Sequence, residues 1–133
     1  MYKAHLKVRT YECDLYGHVN NATYLNYLEY ARMEYLYSKG YSLESLKERG
    51  VMAVVVRVDI QYKKPAFPGD ELEIEVRPAN YRNTSGTFFQ KIIRKGTGEL
   101  IAEAEVTWVF TNLRGKPIPI PDYIKVAFDM DNQ

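Results

Sequence analysis

After Gly50 the chain alternates in steps of two, segment after segment, and no stretch of helical period interrupts the run. Val54, Val56, Val58, Ile60 and Tyr62 alternate with Val55, Arg57, Asp59 and Gln61; Leu72, Ile74 and Val76 alternate with Glu71, Glu73, Glu75 and Arg77. Residues 86–95 read as a further strand. A last one has Ala102, Ala104, Val106, Trp108 and Phe110 on one face and Glu103, Glu105, Thr107 and Val109 on the other. Successive strand side chains point to opposite faces, so this pattern buries one side of a sheet and wets the other. Parallel neighbours need a crossover of about a dozen residues or more, usually a helix. The joints here, Pro65-Ala66-Phe67-Pro68-Gly69-Asp70 and Lys95-Gly96-Thr97-Gly98, have turn composition instead. A doubly wound parallel sheet is therefore excluded, and an antiparallel one fits.

The first fifty residues supply the other layer. Residues 3–12 read as a strand with Ala4, Leu6 and Val8 on one side. From Asn21 to Lys39 the period becomes helical: Tyr24, Leu28, Ala31 and Tyr35 form the stripe, widened by Leu25 and Leu36. Asn20 or Asn21 caps its start, and Gly40 suits the left-handed residue after its end. A short helix over 43–49 follows, with Ser42 as N-cap, Tyr41 and Leu46 placed as a hydrophobic staple, and Gly50 as its stop. The proline-rich tail 116–121 suits a sheet edge or a wrap. The expectation is one α+β domain over 1–133, a long helix packed on one face of an antiparallel sheet.

Eighteen basic against 17 acidic side chains leave a net charge of +1. A dedicated nucleic-acid binder carries a basic excess, so no nucleic-acid partner is expected. With one cysteine, Cys13, no internal disulfide can form, which suits a reducing compartment. No segment approaches the roughly 20 apolar residues of a membrane helix, and the amino terminus lacks a signal-like apolar run. A cytoplasmic protein without membrane insertion is expected, and the two glycosylation-like triplets, at Asn21 and Asn83, read as incidental.

The chemistry concentrates in Tyr11-Glu12-Cys13-Asp14-Leu15-Tyr16-Gly17-His18-Val19-Asn20-Asn21-Ala22-Thr23-Tyr24. A carboxylate stands at a strand end, a glycine turn follows, and then a polar helix start. A helix N-terminus presents unpaired N–H groups and a positive dipole end, so it can stabilise developing negative charge. A carbonyl resting on those N–H groups would lie within reach of Asp14, with Gly17 letting the backbone come close.

The run from Asp14 to Tyr24 resembles the signature of the 4-hydroxybenzoyl-CoA thioesterase-like family of hotdog proteins. It is also similar to the D-x-x-x-H-V-N-N-x-x-Y run of fatty acyl-ACP thioesterases. Asp59 to Asp70 resembles the family's next stretch, a strand entering a Pro/Gly turn. The resemblance implies the hotdog fold: a curved antiparallel sheet wrapped around one long central helix. It also implies edge-to-edge homodimers, which often pair into homotetramers, with active sites at the dimer interface and acyl-CoA or acyl-ACP as substrate. Asp14 aligns with the family's catalytic Asp, the backbone N–H near Asn21 with its oxyanion donor, and Gly17 with its turn glycine. His18 matches the histidine of the acyl-ACP branch, while Tyr16 stands where that branch carries Asn.

The expected activity is thioester hydrolysis to a free acid and a thiol, without cofactor. Asp14 would act either as nucleophile or, with a raised pKa, as general base towards water. Glu29 is a second candidate carboxylate on the helix. Cys13 is disfavoured as a nucleophile because it and Asp14 face opposite sides of a strand. Arg57, Lys63, Lys64, Arg82 and Arg94 are candidate contacts for the carrier's phosphates. Tyr24 and Tyr62 are candidate substrate-pocket residues. No metal-ligand spacing or nucleotide-binding glycine pattern is found. A hotdog dehydratase would handle the same carriers, but the Pro/Gly-rich setting of that branch's catalytic His is not found here; a non-catalytic acyl-CoA binder would use the same groove.

Overall fold

The computed structural model describes residues 1–130. Five strands, β1 (Tyr2–Lys7), β2 (Val51–Tyr62), β3 (Glu71–Ala79), β4 (Ser85–Arg94) and β5 (Leu100–Asn112), form one sheet in the order β1-β3-β4-β5-β2. Every pairing is antiparallel, as the missing crossovers require. Three helices accompany it: α1 (Asn21–Ser38), α2 (Leu43–Glu48) and α3 (Asp122–Ala127). Helix α1 lies over the β1 and β3 side of the sheet, and α2 packs on β2. This is the α+β arrangement, and the sheet and long helix, that the resemblance implies.

Helix α1 buries Tyr24, Tyr27, Leu28, Ala31, Arg32, Tyr35 and Leu36, an i, i+3, i+4 succession on one face. That stripe differs from the expected one at three places. Leu25 points into solvent; Tyr27 takes its place, and the charged Arg32 goes inside. Asn20 is the N-cap, its side chain accepting from the Ala22 N–H at 3.0 Å. Ser42 caps α2, and Ser45 returns the bond to close a capping box.

Three expectations are corrected. The first strand ends at Lys7 rather than running to residue 12, because Glu12 folds back onto Arg9 and draws Thr10–Glu12 into a 3-10 turn. The second concerns β2. Its register on β5 breaks between Val55 and Arg57, leaving Val56 without a partner. One extra residue reverses the side-chain phase. Ala53 and Val55 therefore share the inner face with Phe110 and Trp108, and only from Val58 onward do the even-numbered residues point inward. The third is α3, which sequence periodicity did not reveal. The tail after β5 pairs Pro117 with Thr111, donates from Ile118 and Ile120 to Phe110 and Asn83, and then turns into this helix. Ile124 and Phe128 close the core there.

The sheet has one conspicuous edge. β2, one of its two edge strands, is 12 residues long, and Val54, Val55, Val56 and Val58 are all exposed along it. Soluble proteins usually shorten, charge or cover such edges.

Candidate active site

Asp14 follows the 3-10 turn in a tight loop closed by a bridge between Cys13 and Val19. Its backbone N–H donates to the His18 carbonyl at 2.9 Å, and its own carbonyl accepts from Gly17 N–H at 3.0 Å. The carboxylate Oδ1 accepts from the Tyr16 N–H at 2.9 Å, an Asx-type turn that fixes the side chain's rotamer. Oδ2 remains open, with His18 Nδ1 at 3.9 Å. Gly17 sits at φ +81°, a left-handed conformation that L side chains adopt poorly. Nothing approaches the position of a Cβ there, so within this chain the glycine serves the turn rather than a close backbone contact. Leu15 and Tyr16 at the loop tip are fully or almost fully exposed.

Two backbone bonds anchor the end of this loop, one to the 65–70 turn and one to the 3-10 turn. The Val19 N–H donates to the Ala66 carbonyl, and the Asn20 N–H to the Glu12 carbonyl. Glu12 is itself buried; its Oε1 accepts from the Arg9 N–H and, at 2.9 Å, from the Tyr27 hydroxyl on α1. Burial alone would raise its pKa. The Arg9 guanidinium and N–H and the Tyr27 hydroxyl outweigh that and hold the carboxyl below the usual range. In return, burial and this carboxylate push the Tyr27 phenol far up. The sequence reading missed both residues.

At the mouth of α1 the Asn20 oxygens serve the N–H groups of Ala22 and Thr23. The Asn21 N–H has no hydrogen-bond partner among the described residues, so the helix presents one free donor at its positive end. The Tyr62 hydroxyl, at the end of β2, donates to the Asn21 carbonyl at 3.1 Å. An open cleft of about 270 Å³ lies here, lined by His18, Asn21, Tyr24, Tyr62, Lys63 and Lys64 among others. Asp14 does not form its wall; it meets the cleft through the ring of His18.

The other candidates are dispersed. Tyr24 is buried: its hydroxyl accepts from the Ala66 N–H at 3.1 Å and its ring packs on Tyr62. Lys63 stands at the cleft, 3.8 Å from Glu103, whereas Lys64 is tied to Glu99 at 2.8 Å. Arg94 is engaged by Asp70, Glu99 and the Pro65 carbonyl, and so braces the 65–70 turn. Arg57 pairs with Asp59 on the exposed strand β2. Arg82 lies in the β3–β4 turn, where Thr84 meets Phe110; the cleft borders the Ala102 end of β5, roughly 27 Å away at strand rise. Glu29 is exposed, about 12 Å along α1 from Asn21, and borders a different chamber. The Cys13 thiol is pushed up by burial and by Glu12, Asp14 and Asp70, which weighs against a thiolate nucleophile. Among the described residues no group of three His, Cys, Asp or Glu is placed to hold a metal, and no helix is long and apolar enough to cross a membrane.

A five-stranded antiparallel sheet with one long helix on its face is the hotdog arrangement. Comparison with known proteins agrees: residues 8–128 match the family model of the thioesterase-like superfamily, and the chain belongs to that superfamily. It is 36% identical to the long-chain acyl-CoA thioesterase FadM of Escherichia coli K12 over 109 residues, 82% of each chain. It is 35% identical to the acyl-CoA thioester hydrolase YbgC of Escherichia coli O6:H1, over 91% of this chain and 92% of that one. The fold superposes on a 1,4-dihydroxy-2-naphthoyl-CoA thioesterase from Synechocystis with a TM-score of 0.91 at 21% identity, covering 99% and 98% of the two chains.

Proposed function

We propose that this chain hydrolyses acyl-CoA thioesters to a free acid and CoA, with Asp14 as the essential carboxylate and the Asn21 N–H as oxyanion donor. The observation that carries the reading is that free N–H: the cap satisfies its neighbours and leaves this one open beside the Asp14–His18 loop. A thioester carbonyl polarised there would gain transition-state stabilisation; losing one such donor costs about 100- to 1,000-fold elsewhere. Tyr62 holds the Asn21 peptide in place from the other side. Asp14 Oδ2, the oxygen not held by Tyr16, delivers the attack, either on the carbonyl carbon or by taking a proton from water. The thiolate then leaves with the pantetheine arm; on the nucleophilic route water next hydrolyses the resulting Asp14 mixed anhydride to the free acid. Lys63, which lines the cleft, is our candidate for meeting the carrier's phosphates.

The same proposal includes a homodimer formed by pairing of the two β2 edges. The strand runs about 40 Å at ordinary rise and exposes four valines, an edge that monomers do not leave open. Such pairing also covers the inner face of Val55 and Val58, which α1 leaves bare. The test is release of CoA from an acyl-CoA series, followed with a thiol reagent, for the natural chain and Asp14→Asn. Turnover falling at least about 1,000-fold is expected; turnover that survives the substitution moves the chemistry away from Asp14.

A further inference from the structure

A second chamber, of about 200 Å³, opens between the middle of α1, α2, the start of β2 and β5. Its walls are mostly apolar, with Met33, Leu36, Leu46, Val55 and Phe110 among them. Besides the exposed Glu29 at its rim, two of its lining groups are not. Arg32 is only 8% exposed and makes a single hydrogen bond, from Nη1 to Gln90 Oε1 at 3.0 Å. Gln90 directs its amide N–H to the Leu28 carbonyl and offers no negative charge. No carboxylate among the described residues lies within ion-pair distance of Arg32; burial pushes its pKa down, and Glu29 at the chamber's edge offsets only part of that. A guanidinium carries five donors, and burying it with one of them used is costly. The second group is the Trp108 indole, 3% exposed, whose Nε1–H has no hydrogen-bond partner. Its ring is held flat on β4 because Gly86 has no side chain: a Cβ there would lie 2.5 Å from Trp108 Cζ2.

We propose that this chamber receives the acyl group of the substrate, and that Arg32 and Trp108 select acyl groups bearing a hydrogen-bond-accepting oxygen beyond the thioester. The inference rests on the thioesterase reading and on its edge-paired dimer. Antiparallel pairing of two β2 strands about the Val56 bulge sets the Ala53–Val55 half of one protomer beside the Val58–Tyr62 half of the other. The chamber of one protomer then adjoins the Asp14–Asn21 cleft of its partner. The size is instructive as well. A cavity of about 150 Å³ holds benzene, so 200 Å³ takes a ring or a chain of about six carbons. An acceptor oxygen on that group would meet the Trp108 N–H and the Arg32 donors that Gln90 does not take, whereas a plain hydrocarbon would leave these unused. Hydrogen bonds to charged groups of this kind correspond to about 10- to 100-fold in specificity.

The experiment compares kcat/KM for hexanoyl-CoA, 3-oxohexanoyl-CoA and adipoyl-CoA, with the natural chain, Arg32→Met, Arg32→Lys and Trp108→Phe. Thermal melting checks that each variant is folded. The natural chain is expected to favour 3-oxohexanoyl- or adipoyl-CoA over hexanoyl-CoA by about 10-fold or more. A preference confined to adipoyl-CoA identifies a carboxylate facing Arg32; one confined to the 3-oxo chain identifies a carbonyl. Arg32→Met and Trp108→Phe should each shrink the ratio of oxygen-bearing to plain substrate, and Arg32→Lys should restore part of it. A merely structural role would lower all three substrates together and leave the ratio unchanged, and that result overturns the inference. Hexanoyl turnover with no preference in the natural chain also overturns it, while leaving the thioesterase reading standing. No hydrolysis of any of the three also overturns it, and the wider acyl-CoA series then decides the thioesterase reading separately.

Discussion

Replacing Glu12 by Gln tests how the reactive loop is held to the helix. In the native chain Oε1 accepts from the Arg9 N–H and the Tyr27 hydroxyl, and Oε2 accepts from Arg9 Nη2 at 2.8 Å. A glutamine keeps one acceptor oxygen. If that oxygen serves Arg9 N–H and Tyr27, its amide N–H₂ faces the Arg9 guanidinium, donor against donor. A hydrogen bond to a charged group contributes about 1.5–3 kcal/mol. The Arg9 side chain is 56% exposed and can swing into water, so we expect the lower part of that range, about 2 kcal/mol. For a chain of this length that is roughly 6–10 °C in Tm. The pH dependence carries the sign. Glu12 titrates below its ordinary value because Arg9 and Tyr27 overcome the opposing effect of burial. Its contribution is therefore complete above the unfolded pKa of about 4.3 and is lost as pH falls through the lower folded value. Melting curves of both proteins at neutral pH and at stepped values down to about pH 3 should show a Tm gap that closes below about pH 4. An equal gap across that range, or none at neutral pH, refutes the charge-assisted anchor.

Gly17→Ala forces a Cβ into the left-handed region at φ +81° and should cost about 1–2 kcal/mol, seen as a lower urea midpoint with unchanged slope. Turnover should fall with it, since the Asp14 loop turns on this residue. Gly86→Ala drives a Cβ to 2.5 Å from the Trp108 ring, which must shift; overpacking of this kind costs about 1–3 kcal/mol, readable by denaturant unfolding. Lysines at both Val54 and Val56, exposed on the edge strand β2, should give a folded monomer by light scattering with turnover much reduced. A dimer that persists would place the subunit contact elsewhere.

Period and composition alone determined the class of this protein. Segment after segment in steps of two without a crossover helix can only pair antiparallel, and the capped stripe from Asn21 to Ser38 can only be the covering helix. The run from Asp14 to Tyr24 was legible for the same reason, because turns, caps and helix starts are written by neighbouring residues. What tertiary structure decided depends on partners far apart in the chain. Glu12 meets Tyr27 15 residues on, Arg32 meets Gln90 58 residues on, and Arg94 reaches back to Asp70 and Pro65; no local pattern announces such pairings. The bulge at Val56 is of the same kind. An unbroken valine run alternates equally well in either phase, so only the register against β5 could choose which face of Ala53 and Val55 meets the core.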